Sequence, residues 1–362
     1  MTCYIFALPV EIIDVMINSH LKKLKYQIYF SATCKKYIAI NIKSLYGNHI
    51  NNEVFLQAKF LNINYLQLSN SSEWISGVHI NHLSNLIVLY ANNFNYDINI
   101  SNLIKLEKLE IAHSNINQAE INTLTNITIL NVYANKFIND IRHMTNLIIL
   151  NAGGVHNEIR QNSIELLTNL KMLSIGNNRH ITNILHLTNL IELNIYGSSC
   201  CIGQNSIEAL TNLHLLNIDG NNLISSITHL TNLRLLSAYS NERVNNIQNL
   251  TNLTFLNIGG YSSIKHNGLS LLTNLTILNA NHQMCKIGQN SIDPLTNLTT
   301  LNISSNMHVT CISHLTKLTR LNISNMCKID QAGIMNLYSL RSIKTQGNDK
   351  IFSISHLTNL EK

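Results

Sequence analysis

The sequence predicts an α/β solenoid, a curved parallel sheet built one short strand per coil with tight or helical returns behind it, preceded by a small helical module. Three observations lead there. A nine-residue phrase recurs at steps of 20 to 23 positions, the composition is aliphatic with 45% hydrophobic but only 6% aromatic residues, and residues 1–45 break the period. With so few rings, Leu and Ile in small regular units must supply the packing. A chain of 362 residues also exceeds one ordinary core of roughly 100–200 residues, which a repeat array accommodates.

The phrase Leu-Thr-Asn-Leu-x-x-Leu-Asn-Ile begins at Leu83, Leu103, Leu124, Met144, Leu167, Leu187, Leu210, Leu230, Leu250, Leu272, Leu295, Leu315, Leu337 and Leu357. A degenerate copy starts at Phe60, with Ile63, Leu66 and Leu68 in the matching places, so the array of about 14 coils is expected over 60–362. One strand with one return cannot bury its apolar edge alone, and stacking solves this. In the coil from Leu210, the pattern sends Leu213, Leu216 and Ile218 inward, lets Asn221 bond the turn backbone of a neighbour, and uses Leu223, Ile227 and Leu230 to close the core from behind. That Asn recurs at Asn135, Asn178, Asn241, Asn306 and Asn348, so Ser, Tyr or Gln is expected to replace it elsewhere. The period and the LxxLxIxxN pattern resemble the leucine-rich-repeat family, which implies strands on a concave face and short helical or 3-10 returns on a convex one.

The returns come in two lengths. Short coils carry Ile-Thr-Asn-Ile-Leu-His-Leu at 181–187 or Ile-Ser-Ser-Ile-Thr-His-Leu at 224–230, and look like the tight sides of internalin-type repeats. Longer coils carry Gln-Asn-Ser-Ile from Gln161, Gln204 and Gln289, with room for a helical turn begun by an Asn or Ser cap. His82, His143, His186, His229, His314 and His356 precede the repeat leucine but never in adjacent coils. They would stand roughly 10 Å apart, too far to share a metal ion, and read as solvent-facing. No metal or other cofactor is expected.

Before the array, Leu8-Pro9-Val10-Glu11 opens a first amphipathic helix, with Pro9 suited to the first helical position and Glu11 to the positive end of the dipole. Ile12, Val15 and Met16 make an i, i+3, i+4 stripe, Leu24 and Ile28 repeat the spacing, and residues 31–40 supply a third element. The Leu-Pro-x-Glu start, with Leu21 and the later Cys34, Lys35, Tyr37 and Ile40, resembles the F-box family, departing from it at Lys22, Lys23 and Lys25, where an acidic residue is common. Residues 1–45 are therefore expected to form an F-box-like three-helix module and 46–59 a linker or cap. The resemblance implies a Skp-type adaptor and its cullin complex as partners, contacted by Leu8, Pro9, Ile12, Met16 and Ile28. The chain would be the substrate receptor of a Skp-cullin-F-box ubiquitin ligase, with chemistry left to its partners. The rival reading is a stand-alone repeat scaffold whose N-terminus only caps the first coil.

Strand side chains alternate between core and surface, so the surface rows can be counted off. One holds Asn131, Asn151, Asn194, Asn217, Asn257, Asn279, Asn302 and Asn322. Two residues earlier runs an apolar row, and beyond the amides stand Tyr133, Tyr196 and Tyr239. Aromatic and apolar residues dominate interface energies, so Tyr196, Leu215, Leu235, Tyr239 and Phe255 are the expected anchors for a target protein whose identity the sequence does not carry.

The remaining classes are disfavoured. A net charge of +6, from 25 basic and 19 acidic residues scattered along the chain, lacks the dense basic face that nucleic acid requires. No run of 18 apolar residues could span a membrane. Glu11 and Asp14 come too early for a signal peptide, so an intracellular chain, cytoplasmic or nuclear, is expected. Seven cysteines without CxxC spacing read as small core thiols of a reducing compartment, and the sequons from Asn126 to Asn322 as by-products of the repeat. No P-loop, nucleophile elbow or HExxH appears, and the acids are too dispersed to form an acid-base pair. No catalysis is expected.

Overall fold

The computed structural model describes residues 44–46, 63–68, 80–81, 83–264 and 266–361. The helices expected over 6–45, with Leu8, Pro9, Ile12, Met16 and Ile28, lie outside the described residues apart from a short strand at their end. The chain falls into two compact units, Met1–Leu170 and Lys171–Lys362.

In the first unit, strands β1 (Ser44–Tyr46), β2 (Tyr65–Gln67), β3 (Val88–Tyr90), β4 (Lys108–Glu110), β5 (Ile129–Asn131) and β6 (Ile149–Asn151) each pair in parallel with the next. Strand β1 straddles the expected 45/46 boundary, and Leu45 stands opposite Leu66. Among the described residues the ladder thus has a rung before the coil at Phe60, on residues that lack the Leu-Thr-Asn-Leu flag. In the second unit the same parallel stacking joins β7 (Met172–Ser174), β8 (Glu192–Asn194), β9 (Leu215–Asn217), β10 (Leu235–Ser237), β11 (Phe255–Asn257), β12 (Ile277–Asn279), β13 (Thr300–Asn302), β14 (Arg320–Asn322) and β15 (Ser342–Lys344).

Each strand is three residues long, and from β2 to β14 its centre is buried, as in β9, where Leu216 is wholly inaccessible between half-buried Leu215 and Asn217. In this coil Leu213, Leu216, Ile218, Ile227 and Leu230 are inside as expected, but Leu223 is 53% exposed and Ile224 takes its place. The Asn221 side-chain oxygen accepts from Leu223 N at 3.0 Å, so the chain turns over 221–223 and Ile224 is the next residue inside, as Ile181 and Val244 are three residues past Asn178 and Asn241.

The recurrent Thr-Asn pair has its own reason. The Asn amide of one coil donates to the Thr carbonyl of the coil before it: Asn212 to Thr188 at 3.1 Å, Asn232 to Thr211 and Asn252 to Thr231 at 3.0 Å, Asn274 to Thr251 at 2.9 Å. Side chains thereby satisfy carbonyls that the return leaves without main-chain partners. Two of these amides, Asn252 and Asn274, belong to sequons.

The Gln-Asn-Ser turns are helical, as 3-10 turns at Gln161–Ser163 and Gln204–Ser206 and a single helical turn at Gln289–Ile292. They lack the expected caps: Arg160, Gly203 and Gly288 precede them without a side-chain cap bond. The turns at Gln204 and Gln289 instead make a two-way clamp between coils. Gln204 Oε1 accepts from Ser225 N and Ser226 N at 3.1 and 2.9 Å, its Nε2 donates to Ser226 O at 2.9 Å, and Ser206 Oγ donates backward to Thr182 O at 3.0 Å. Gln118, Gln289 and Gln331 grip the following coil in the same way. The histidines are not simply solvent-facing either. In the coils after the Gln118, Gln204 and Gln331 clamps, His143, His229 and His356 place Nε2 at 3.0, 3.3 and 3.2 Å from the carbonyls of Ile121, Ile207 and Ile334, which close the preceding helical turns.

The inward turn position is filled more fully than the sequence suggested. Besides the six expected asparagines, Asn157 is buried there, its amide donating to Val132 O at 2.6 Å, while Ser114, Ser262, Cys200, Cys285 and Cys327 take other rungs. Asn157, Cys200 and Cys285 follow their strand asparagine by six residues rather than four, and Ser262 and Cys327 by five, so counting at fixed spacing passes over them. Serine was among the expected substitutes; cysteine stands where Tyr or Gln was expected. Burial pushes the Cys200 thiol up to about 11, above the ordinary 9.0, and raises Cys285 and Cys327. The folded-state value being raised, the Cys200 thiol contributes stability that is full below pH 9 and is lost as the pH climbs through about 11. Cys201 and Cys311 are exposed, against the expectation of core thiols. Iodoacetamide at pH 8 should label these two in the native chain and reach Cys200, Cys285 and Cys327 only after denaturation, as read by mass spectrometry of tryptic peptides.

Candidate protein-binding face

Of the five anticipated target anchors, three form one continuous row. Leu215, Leu235 and Phe255 stand in direct register on β9, β10 and β11, and Ile277 extends the row on β12. Rungs lie about 4.8 Å apart, so these side chains touch along one apolar ridge. Leu235 is its most open member at 38% exposed, with Leu215 and Phe255 half-buried.

Tyr196 and Tyr239 stand elsewhere. Each follows the strand position of the apolar row by four residues, about 13 Å along an extended chain, and the amide row runs between. The expected single cluster is therefore two parallel rows. The amides separating them act first within the protein. Asn217 Oδ1 accepts from Asp219 N at 3.0 Å, Asn131 Oδ1 from Tyr133 N at 3.1 Å, Asn302 Oδ1 from Ser304 N at 3.2 Å and Asn322 Oδ1 from Ser324 N at 3.1 Å. An Asn that bonds its own backbone two residues on forms an Asx turn. This fixes how the third row leaves the strand. Asn257 Nδ2 crosses to Ser237 Oγ at 2.9 Å, a further internal use of a side chain that sequence reading assigned to the partner surface.

The third row reads Gly176, Tyr196, Asp219, Tyr239, Gly259, one residue per coil, each two positions past the paired residues Ser174, Asn194, Asn217, Ser237 and Asn257. A Cβ on Gly176 would collide with the Tyr196 ring, and one on Gly259 or Gly260 would press on the Tyr239 ring at 3.0 to 3.1 Å. Both rings thus lie over glycines on the side away from Asp219. Asp219 Oδ1 accepts from Ser237 Oγ at 2.6 Å and Tyr239 N at 2.7 Å. Burial raises the Asp219 carboxyl above the usual carboxylate value, and those two bonds oppose the rise. Sequence reading passed over Asp219. The available signal was a lone acid between two tyrosines in a row that carries no other charged residue from Gly176 to Gln346.

Parallel three-residue strands, LxxLxIxxN coils and buried turn asparagines define a leucine-rich-repeat solenoid. Solved structures of that fold align with the chain. An internalin, inlF, of Listeria monocytogenes is 24% identical with a TM-score of 0.59, covering 81% of this chain and 92% of its own. The functional domain of InlJ from the same organism, which includes a cysteine ladder, is 17% identical with a TM-score of 0.57, over 84% of this chain and 74% of its own. A leucine-rich-repeat protein of Leptospira interrogans is 21% identical with a TM-score of 0.58, over 89% of both. No family model and no curated protein matches the chain. The F-box resemblance of residues 6–45 therefore rests on its motif alone.

Proposed function

We propose that this chain is a protein-binding scaffold that holds its target on the sheet face of residues 171–362, and that residues 6–45 join it to a Skp-type adaptor, making it a substrate receptor of a ubiquitin ligase. The observation that carries the first part is the Leu215, Leu235, Phe255 and Ile277 row, apolar side chains held in register on four successive strands with partial exposure. Such a strip, flanked by polar rows, has the makeup of an interface core and its rim. The second part is supported by Leu8, Pro9, Glu11, Cys34, Lys35 and Tyr37 in F-box order ahead of the repeats. On this reading the chain supplies proximity and selection to enzymes bound elsewhere in the complex.

A pull-down with a purified eukaryotic Skp adaptor tests the second part. The wild-type chain is expected to retain the adaptor and a Leu8→Asp, Pro9→Ala variant to lose it. No retention by the wild type would leave the repeat scaffold without a ubiquitin link.

A further inference from the structure

We infer that Asp219, between Tyr196 and Tyr239, is the seat for an arginine side chain of the bound target. This rests on the sheet-face reading above and names the chemistry of one contact within it. Asp219 occupies the middle of its row, with a tyrosine about 4.8 Å away on either rung. Because Gly176 and the Gly259-Gly260 pair let the rings lie down away from it, the carboxylate is flanked without being roofed.

Its orientation is already set. Both hydrogen bonds to the carboxylate, from Ser237 Oγ and Tyr239 N, fall on Oδ1, and Oδ2 has no partner among the described residues. Nor does Asp219 form an ion pair among them. Four other carboxylates of this charge-poor chain do: Glu110 with Lys108, Asp140 with Arg142, Glu158 with Arg160 and Glu361 with Arg341. A half-buried anion left unpaired in a chain of net charge +6 is complementary to a cation from outside. A pre-positioned acceptor avoids an ordering cost on binding. A guanidinium fits better than an ammonium, since its planar fork donates to a carboxylate oxygen while its face and methylene stem lie against tyrosine.

The test uses the full chain with ring-labelled tyrosine, titrated by NMR with N-acetyl-L-argininamide and with its neutral citrulline counterpart. The arginine compound is expected to shift the Tyr196 and Tyr239 ring signals saturably, and citrulline to bind about tenfold more weakly or not at all. Asp219→Asn, which keeps an oxygen for Ser237 and Tyr239, should remove the preference while leaving the melting temperature near that of the wild type. A lysine analogue matching arginine would reduce the seat to a general cation site and overturn the arginine assignment. Equal shifts from citrulline, or an unchanged response in Asp219→Asn, would overturn the proposal altogether. Leu235→Asp separates this from the broader reading. If the arginine response is absent but Leu235→Asp still releases captured proteins, only the seat is lost; if that variant releases nothing, the sheet-face reading fails as well.

Discussion

Asn221→Ala should lower the unfolding free energy by about 3 kcal/mol or more, read from urea denaturation followed by circular dichroism. The side chain is 1% exposed and connects three backbone groups. Its Nδ2 donates to Ile195 O at 3.1 Å and Ile202 O at 3.2 Å in the preceding coil, and its Oδ1 accepts from Leu223 N at 3.0 Å. Alanine leaves the two carbonyls buried and unbonded, at about 1–3 kcal/mol each before partial relief by water, and frees the half-buried Leu223 N–H. The neighbouring Asn222→Ala is the control. Asn222 is exposed and its oxygen accepts only from Glu242 N at 2.8 Å, so its loss should stay within about 0.5 kcal/mol. Equal midpoints for the two variants would show that the buried turn residue does not hold the coils together.

Leu216→Ala should cost about 2–5 kcal/mol by the same measurement. Leu216 is fully buried and stands in register between Leu193 and Leu236. Backbone bonds on both sides keep adjacent coils from collapsing into the space left behind, which places the cost toward the upper part of that range. Because coils are stabilised mainly by nearest neighbours, the loss should spread to the adjacent rungs, with faster hydrogen exchange at Leu193 and Leu236. Leu223→Ala removes the same group from an exposed position and should change stability by no more than about 0.5 kcal/mol. The contrast between two leucines of one coil tests the inside and outside assignment that the repeat pattern alone placed incorrectly for Leu223.

Much of the fold is legible in the sequence because a coil's needs are local. A buried centre flanked by two surface positions repeats at a readable period, so the register of Leu215, Leu235 and Phe255 follows from counting. Counting fails where the period itself varies. Asn157, Cys200 and Cys285 fill the inward turn after two extra residues, and a fixed template passes over them. It also fails where one residue type can serve two purposes. The strand asparagines look like a polar binding row, yet Asn217, Asn302 and Asn322 end their own strands. Gln204 looks like a helix-turn residue but binds the next coil's backbone. Asp219 could be singled out as the acid between two tyrosines of one row, but its open setting depends on ring placement over Gly176 and Gly259, which counting along the chain does not give.

The most direct test of the account compares proteins captured by the wild-type chain, by Leu8→Asp, Pro9→Ala, and by Leu235→Asp, Phe255→Asp, using quantitative mass spectrometry with circular dichroism to verify folding. The first variant is expected to lose the Skp adaptor and keep the targets, and the second to lose the targets and keep the adaptor. A folded Leu235→Asp, Phe255→Asp variant that captures the same proteins as the wild type would contradict the assignment of the sheet face as the binding surface.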